Sequence, residues 1–309
     1  MKRRVLALLG SLGAIVLAFG LLVRPWYGNW GATAEEARRA LPGDAIIPAA
    51  TVQETRAITI AAPSERVWPW IAQLGQDRGG FYSYDLLENL VGCEMPTVDR
   101  LRPEKQSWHV GDKLWMYPAG KADSLGFGTL RTYLSGRALG FATRAVGTAR
   151  AEPEDGSWSF VLVPVSATAT RVLVRGRLAP GRSFPARLFN AALFAPAHFS
   201  MERRMLLGLK ALVETGDRSR WINHLQVGLW AITLGLIGWS VVRVLSGRRW
   251  RRALAAFVAG CAVFQVLTLV QPALLLGAVL VTAVAVLLAP APRYPILRAA
   301  AFAPEPRTI

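Results

Sequence analysis

The sequence predicts an α+β domain, a curved antiparallel sheet around one long C-terminal helix, held by about four transmembrane helices. Three observations predict it. Apolar residues alternate with period two in six short runs between Glu54 and Leu178. A helical apolar pattern from Phe184 to Glu214 closes that region. Apolar runs of 17 to 19 residues flank the whole.

The flanking runs are the clearest part. Val5 to Val23 holds 19 residues without a charge, Leu225 to Val242 and Ala253 to Val270 hold 18 each, and Ala273 to Ala289 holds 17. A spanning helix needs roughly 20. The division that follows is 1–23 as an N-terminal anchor, 24–50 as a linker, 51–220 as a ligand-binding domain, 221–289 as three transmembrane helices (about 225–245, 253–270 and 273–289), and 290–309 as a proline-rich cytoplasmic tail. Gln271-Pro272 reads as a tight turn between the last two spans, with a re-entrant hairpin as the alternative. A signal peptide competes for the first run, but its apolar stretch exceeds the usual length of such a segment.

A pI near 11.0 and a net charge of +16 invite a nucleic-acid reading, which the placement of the charges argues against. Residues 24–220 carry 25 Lys/Arg and 19 Asp/Glu, a balance of +6; the remainder carries 11 Lys/Arg and one acid, Glu305, a balance of +10. These outer cations are Lys2, Arg3 and Arg4, then Arg243, Arg248, Arg249, Arg251 and Arg252, then Arg293, Arg298 and Arg307. With four spans all three groups fall on one side, which the positive-inside rule makes cytoplasmic. The domain is then expected outside the cell membrane, with both termini inside.

Cys93 lies in the domain and Cys261 within a span, so no intradomain disulfide is expected. His109, His198 and His224 are scattered, and nothing has metal-ligand spacing. Gly120-Lys121 lacks the rest of a phosphate loop, and no Gly-x-Ser-x-Gly elbow occurs. Neither metal nor cofactor is expected.

Within the linker, Thr33 precedes Ala34-Glu35-Glu36 as a helix cap, and Leu41-Pro42-Gly43-Asp44 ends that helix. Strand one is expected over Glu54 to Ala61, with Ile58 and Ile60 on one face and Thr55, Ala57 and Thr59 on the other. Pro63 opens a helix whose inner face is Val67, Trp68, Ile71 and Leu74; Pro69 predicts a kink or a late start near Trp68. Gly75 and Gly79-Gly80 bracket a turn, and Tyr84 to Val91 forms a second helix. Further strands follow at Asp112–Tyr117, Gly126–Leu134, Leu139–Arg144, Ser157–Val165 and Thr170–Leu178, at the spacing of an antiparallel meander. Parity puts Leu114, Met116, Leu130, Phe141, Trp158, Phe160, Leu162, Val172 and Val174 on the concave face. It puts Lys113, Arg131, Arg144, Arg171, Arg175 and Arg177 on the outer one. The final helix is broken at Pro196, with stripes of Leu188, Phe189, Ala192, Leu193 and of Met201, Met205, Leu209, Leu212.

From Ala50 to Gly216 the chain resembles the SRPBCC superfamily, the START-like helix-grip proteins that include polyketide cyclases, dehydrases and lipid-transfer domains. The carriers are the strand-Ala-Pro-x-x-x-Val-Trp opening over Ile58 to Trp68, GQDRGGFYSYDLLENLVG, the Gly111-Asp112 pair before a strand, and the long closing helix. Membrane-anchored, uncharacterised members are the most similar branch. The resemblance implies a helix-grip fold around a small hydrophobic ligand and implies no particular chemistry.

Four residues are candidates for catalysis. Tyr82, Asp85 and Glu88 could run acid–base chemistry with Tyr84 alongside, against the plainer reading that Asp85 caps the short helix and Glu88 closes back on it. His198 could serve as a base or be structural. Asp77 and Arg78, with Tyr82, would line a pocket mouth, or Asp77 and Arg78 would form an ion pair that anchors the turn. The expected ligand-binding set is Met116, Leu130, Phe141, Trp158, Phe160, Leu162, Val174, Phe189 and Met201, because a strongly curved sheet leaves a cavity that these residues would line. The leading functional expectation is binding of a small hydrophobic or amphipathic molecule, lipid or polyketide-like, at the membrane. An enzyme acting on such a molecule (cyclase, dehydratase or hydrolase) and an interaction or sensor protein are the rivals.

Overall fold

In the computed structural model the described residues are 1–96, 98–119, 127–144, 154–180, 184–247 and 249–289. The expected tail, with Arg293, Arg298 and Arg307, lies outside them, as do Gly120, Lys121, Gly126 and Arg248.

Six strands form one antiparallel sheet: β1 Val52–Ile60, β2 Lys113–Trp115, β3 Phe127–Leu134, β4 Ala138–Thr143, β5 Gly156–Ser166 and β6 Ala169–Leu178, in the order β1-β6-β5-β4-β3-β2. β2 to β6 are a meander, and β1 adds to its end beside β6. Register shifts between Leu130 and Thr132 and between Pro164 and Ser166 interrupt the ladder, the irregularity by which a strand bends. Side-chain parity survives across the ladder: Phe160 faces Val174 and Leu162 faces Val172. Leu114, Leu130, Phe141, Trp158, Phe160, Leu162, Val172 and Val174 belong to one buried cluster, with Met116 half-buried at its rim.

The closing helix covers that face. It runs as Phe184–Phe189, a π-helical turn Asn190–Phe194, and Ala195–Thr215. Met205, Leu206, Leu209, Leu212 and Val213 fall at helical spacing and enter the same cluster. Gly216 ends it in the left-handed region, φ 78°. The break expected at Pro196 is a π turn ending one residue before the helix resumes at Ala195. Pro196 then follows directly on that turn, as the second residue of Ala195–Thr215.

The helix after β1 is Ser64–Ala72. The late start expected at Trp68 is incorrect: Val67 already bonds back to Pro63, and Pro69 removes only the bond that would reach Glu65. Trp70, rather than Trp68, enters the core; Trp68 is half-buried against Tyr133.

The segment read as a linker is ordered against the sheet. Thr33 and Glu36 form a capping box on Ala34–Arg38. Ala57 on the edge strand β1 donates to the Trp30 carbonyl, and the following Gly31 (φ 73°) passes so near β1 that a Cβ would lie 2.1 Å from the Ala57 oxygen. The outer face is therefore partly covered. Arg175, expected to point outward, does so but is 1 % exposed. It bonds Thr55 at 3.0 Å, Asp44 at 2.8 Å and the carbonyls of Glu36, Ala37 and Arg39. Arg171 pairs with Glu36 at 2.8 Å, which holds that carboxyl down at about 2.

Among the described residues three helices are long and apolar enough to cross a membrane: Lys2–Gly28, Arg220–Ser246 and Trp250–Val270. The fourth expected span is a shorter apolar helix, Leu274–Leu288. Gln271, in the left-handed region at φ 50°, turns the chain, and Arg252 at the start of one helix donates to Val286 near the end of the other. These two helices therefore return on one another along their length. Arg3, Arg4, Arg249, Arg251 and Arg252 gather around one cleft, with Arg4 donating to the Leu245 carbonyl at 2.9 Å. The domain packs on the opposite helix ends.

Candidate functional site

The interior between the sheet and the closing helix is apolar except at one end, where the closing helix crosses β1. There Glu202, 3 % exposed, accepts from Arg56 at 2.9 Å and from the Trp158 indole at 2.8 Å. Arg56 also pairs with Glu54 and donates to the Tyr27 carbonyl at 3.1 Å. Burial, the largest single influence, raises the Glu202 carboxyl, but the Arg56 charge, His198 and the hydrogen bonds from Arg56 and Trp158 together outweigh it and leave the group below the ordinary carboxylate range. His198 stands one turn earlier, 3.9 Å from Glu202, between the rings of Trp158 and Phe194. Partial burial lowers the imidazole, so His198 is neutral at about pH 7.

This network was legible only in part. Glu54 and Arg56 share the parity of Ile58 and Ile60, so alternation already turns them inward. Glu202 follows His198 by four residues on one helix face. No local pattern joins Arg56 to Glu202, which lie 146 positions apart.

The other three catalytic candidates stand elsewhere, beneath the closing helix. The Tyr82 hydroxyl donates to the Trp70 carbonyl at 3.1 Å, and burial pushes that phenol well above its usual range. Asp85 does not cap its helix. The helix is Asp85–Leu90 with Tyr84 at the cap position and no side-chain cap, and the Asp85 carboxylate takes a bidentate contact from Arg218 at 3.1 and 2.9 Å. Arg218 also pairs with Asp99 at 2.6 Å. Glu88 does not close back on a cap either. Its Oε2 is sealed without a hydrogen-bond partner, and burial, with the neighbouring Asp85 second, pushes the carboxyl up to about 8.

A raised acid binds its proton more tightly folded than unfolded. Its stability contribution is full below the unfolded value near 4.5 and is lost as the pH rises through about 8. Glu88→Gln is therefore expected to raise the melting temperature at about pH 8.5 and leave it unchanged at about pH 4. Equal effects at the two pH values would contradict a protonated Glu88.

At the expected pocket mouth, Arg78 lies over the Trp108 ring at 3.6 Å and donates to the Lys105 and Ser107 carbonyls. It forms no salt bridge with the exposed Asp77, so the anchoring ion pair is replaced by carbonyl and ring contacts. Of the expected ligand-binding residues, Leu130, Phe141, Trp158, Phe160, Leu162 and Val174 are brought together, with rings in contact from Trp108 through Phe141 and Phe160 to Trp158. Phe189 is not among them. It is 45 % exposed, because the closing helix extends past the sheet before the π turn. Met201 is half-buried outside the cluster, its carbonyl accepting from Ser83 at 2.7 Å. Among the described residues no group of three His, Cys, Asp or Glu is placed to hold a metal ion.

Comparisons with family models and with curated proteins return no match. Among solved structures, a conserved protein of unknown function from Enterococcus faecalis is similar at 14 % identity and TM-score 0.32, over 53 % of this chain and 72 % of its own. A protein from Nitrosospira multiformis is similar at 16 % identity and TM-score 0.29, over 54 % of this chain and 99 % of its own. A Polyketide_cyc-like protein from Corynebacterium glutamicum is similar at 14 % identity and TM-score 0.25, over 52 % and 84 %. Likeness at this level assigns no family and no chemistry.

Proposed function

We propose that residues 51–220 form a helix-grip ligand-binding domain of the SRPBCC kind, anchored by about four spans. On this reading it takes a small hydrophobic or amphipathic molecule, a lipid or polyketide-like compound, from the outer face of the cell membrane. One observation carries the reading. The closing helix buries Met205, Leu206, Leu209 and Leu212 against the concave sheet face, while its Phe199–Arg203 stretch rests on the ends of the membrane helices. The apolar interior and the bilayer are thus joined by one rigid element, which places a lipid ligand at high effective concentration.

The concave side chains fill the grip, so a ligand displaces the Phe141, Trp158 and Phe160 rings or lifts the closing helix. The Arg56–Glu202 pair would then meet the polar end of an amphipathic ligand. The basic cleft at the far end of the bundle supports an orientation with both termini cytoplasmic and the domain outside.

Native mass spectrometry of the full-length protein in mild detergent tests this. The expected result is a discrete apolar species at one per chain, lost in Leu162→Trp, which enlarges a buried concave side chain, while the far-ultraviolet circular dichroism stays the same. Bulk lipid retained equally by both proteins would refute the proposal.

A further inference from the structure

Three parts of the membrane bundle converge beneath a short stretch of the closing helix. Phe199 stacks on Tyr27, at the end of the first apolar helix, with ring centroids 5.1 Å apart, and meets Trp26 and Trp30 edge-on. Ser200 donates to the Thr268 carbonyl at 2.8 Å, and Gln271 donates back to the Ser200 carbonyl at 2.8 Å. Tyr84, beside this stretch, donates to Gln226 on the helix Arg220–Ser246 at 2.8 Å. Residues 199–204 therefore lie at the level where the apolar helices end, which on the membrane-spanning reading is the depth of lipid headgroups.

Two adjacent cations sit there without carboxylate partners among the described residues. Arg203 donates to the neutral Gln271 at 3.1 Å and lies over Trp30 at 4.8 Å; Arg204 lies over the Tyr84 ring at 5.9 Å. The Nε atom of each is buried with no hydrogen-bond acceptor among the described residues. Burial, and in addition the Arg204 charge, brings Arg203 down to about 10; burial and the Arg218 charge lower Arg204. Two half-buried like charges with unmet donors form a site short of an anion.

The same helix carries an apolar surface that nothing among the described residues covers. Phe184, Leu188, Phe189 and Leu193 are 45 to 68 % exposed. Leu193 lies seven residues before Ser200 on the same helix, and Ser200 is seated on the ends of the apolar helices. Trp26 and Trp221, at the ends of two of these helices, are also exposed, as expected of aromatic side chains at a membrane interface.

We propose that the membrane side of the closing helix is a phospholipid site. Arg203 and Arg204 take the headgroup phosphate, and Leu188, Phe189 and Leu193 lie along the acyl chains. The proposal rests on the reading that the apolar helices span a bilayer. It is separate from the interior ligand, because Leu162→Trp leaves this surface intact. Arginine suits the role, since its planar fork matches phosphate oxygens two at a time.

The test compares dioleoylphosphatidylglycerol, dioleoylglycerol and inorganic phosphate, each added to delipidated full-length protein in detergent and counted by native mass spectrometry. The expected result is one tightly held phospholipid per chain, about tenfold more strongly retained than the diacylglycerol. Arg203→Gln with Arg204→Gln should remove most of that preference without changing the melting temperature. If that pair is poorly folded, Leu188→Asp with Leu193→Asp, at exposed positions, should lower phospholipid retention while the melting temperature holds. Equal retention of phospholipid and diacylglycerol, or an unchanged preference in the arginine variant with retention also unchanged in the aspartate variant, would overturn the proposal. Inorganic phosphate that displaces the lipid at matching concentration would assign the arginines to a soluble anion and overturn it as well.

Discussion

Replacing Glu202 with alanine is expected to cost about 3–5 kcal/mol of stability, the size found when one partner of a buried ion pair is removed. Arg56 stays behind, 3 % exposed, with Glu54 and a backbone carbonyl for partners. The Trp158 indole N–H loses its acceptor as well, a desolvation cost of about 1–3 kcal/mol already contained in that figure. Thermal or denaturant unfolding of the full-length protein in detergent measures the loss. Arg56→Met together with Glu202→Met should recover much of it, because two apolar side chains of similar volume need no counter-charge. A loss below about 1 kcal/mol in the single variant would mean that water reaches the pair and that this end of the interior is open.

Gly208→Val should cost about 3 kcal/mol, at the upper end of what overpacking does. A residue with a side chain ordinarily gains up to about 1 kcal/mol over glycine within a helix. Here the gain is outweighed, because a Cβ at position 208 would stand 2.2 Å from the Tyr82 backbone oxygen. That oxygen cannot give way cheaply. Tyr82 holds a left-handed backbone, φ 57°, rare for a residue with a side chain, and is pinned by its own hydroxyl on Trp70. The closing helix would have to lift from the segment that carries Ser83 and Asp85. The melting temperature and the Glu88 pH dependence should then fall together. Gly228→Ala, where nothing lies within 4 Å of the new Cβ, should leave both unchanged.

Much of the fold was legible because its signals are short-range. The alternation in β5 and β6 needs only the pleat to assign faces, and the sides it gives Phe160, Leu162, Val172 and Val174 are the sides they occupy. The Thr33 capping box and the apolar runs are equally local. Apart from the helix start misplaced at Trp68, the expectations that failed concern contacts made at a distance. Phe189 has the apolar character and spacing of a core residue, and no local feature reveals that the sheet ends before the helix does. Asp85 has the look of a cap, yet Arg218, 133 positions away, takes its carboxylate.

What the sequence determined by itself is therefore the set of elements, their faces, the apolar helices and the imbalance of charge along the chain, each written in spacings of a few residues. Only the tertiary structure decided which buried charges meet: Arg56 with Glu202, Arg218 with Asp85, Arg175 with Asp44. It also decided that, among the described residues, Arg203 and Arg204 are left without a carboxylate beside the ends of the apolar helices. An ion's partner is chosen by which surfaces come together when the core closes, and periodicity along the chain carries no record of that closure.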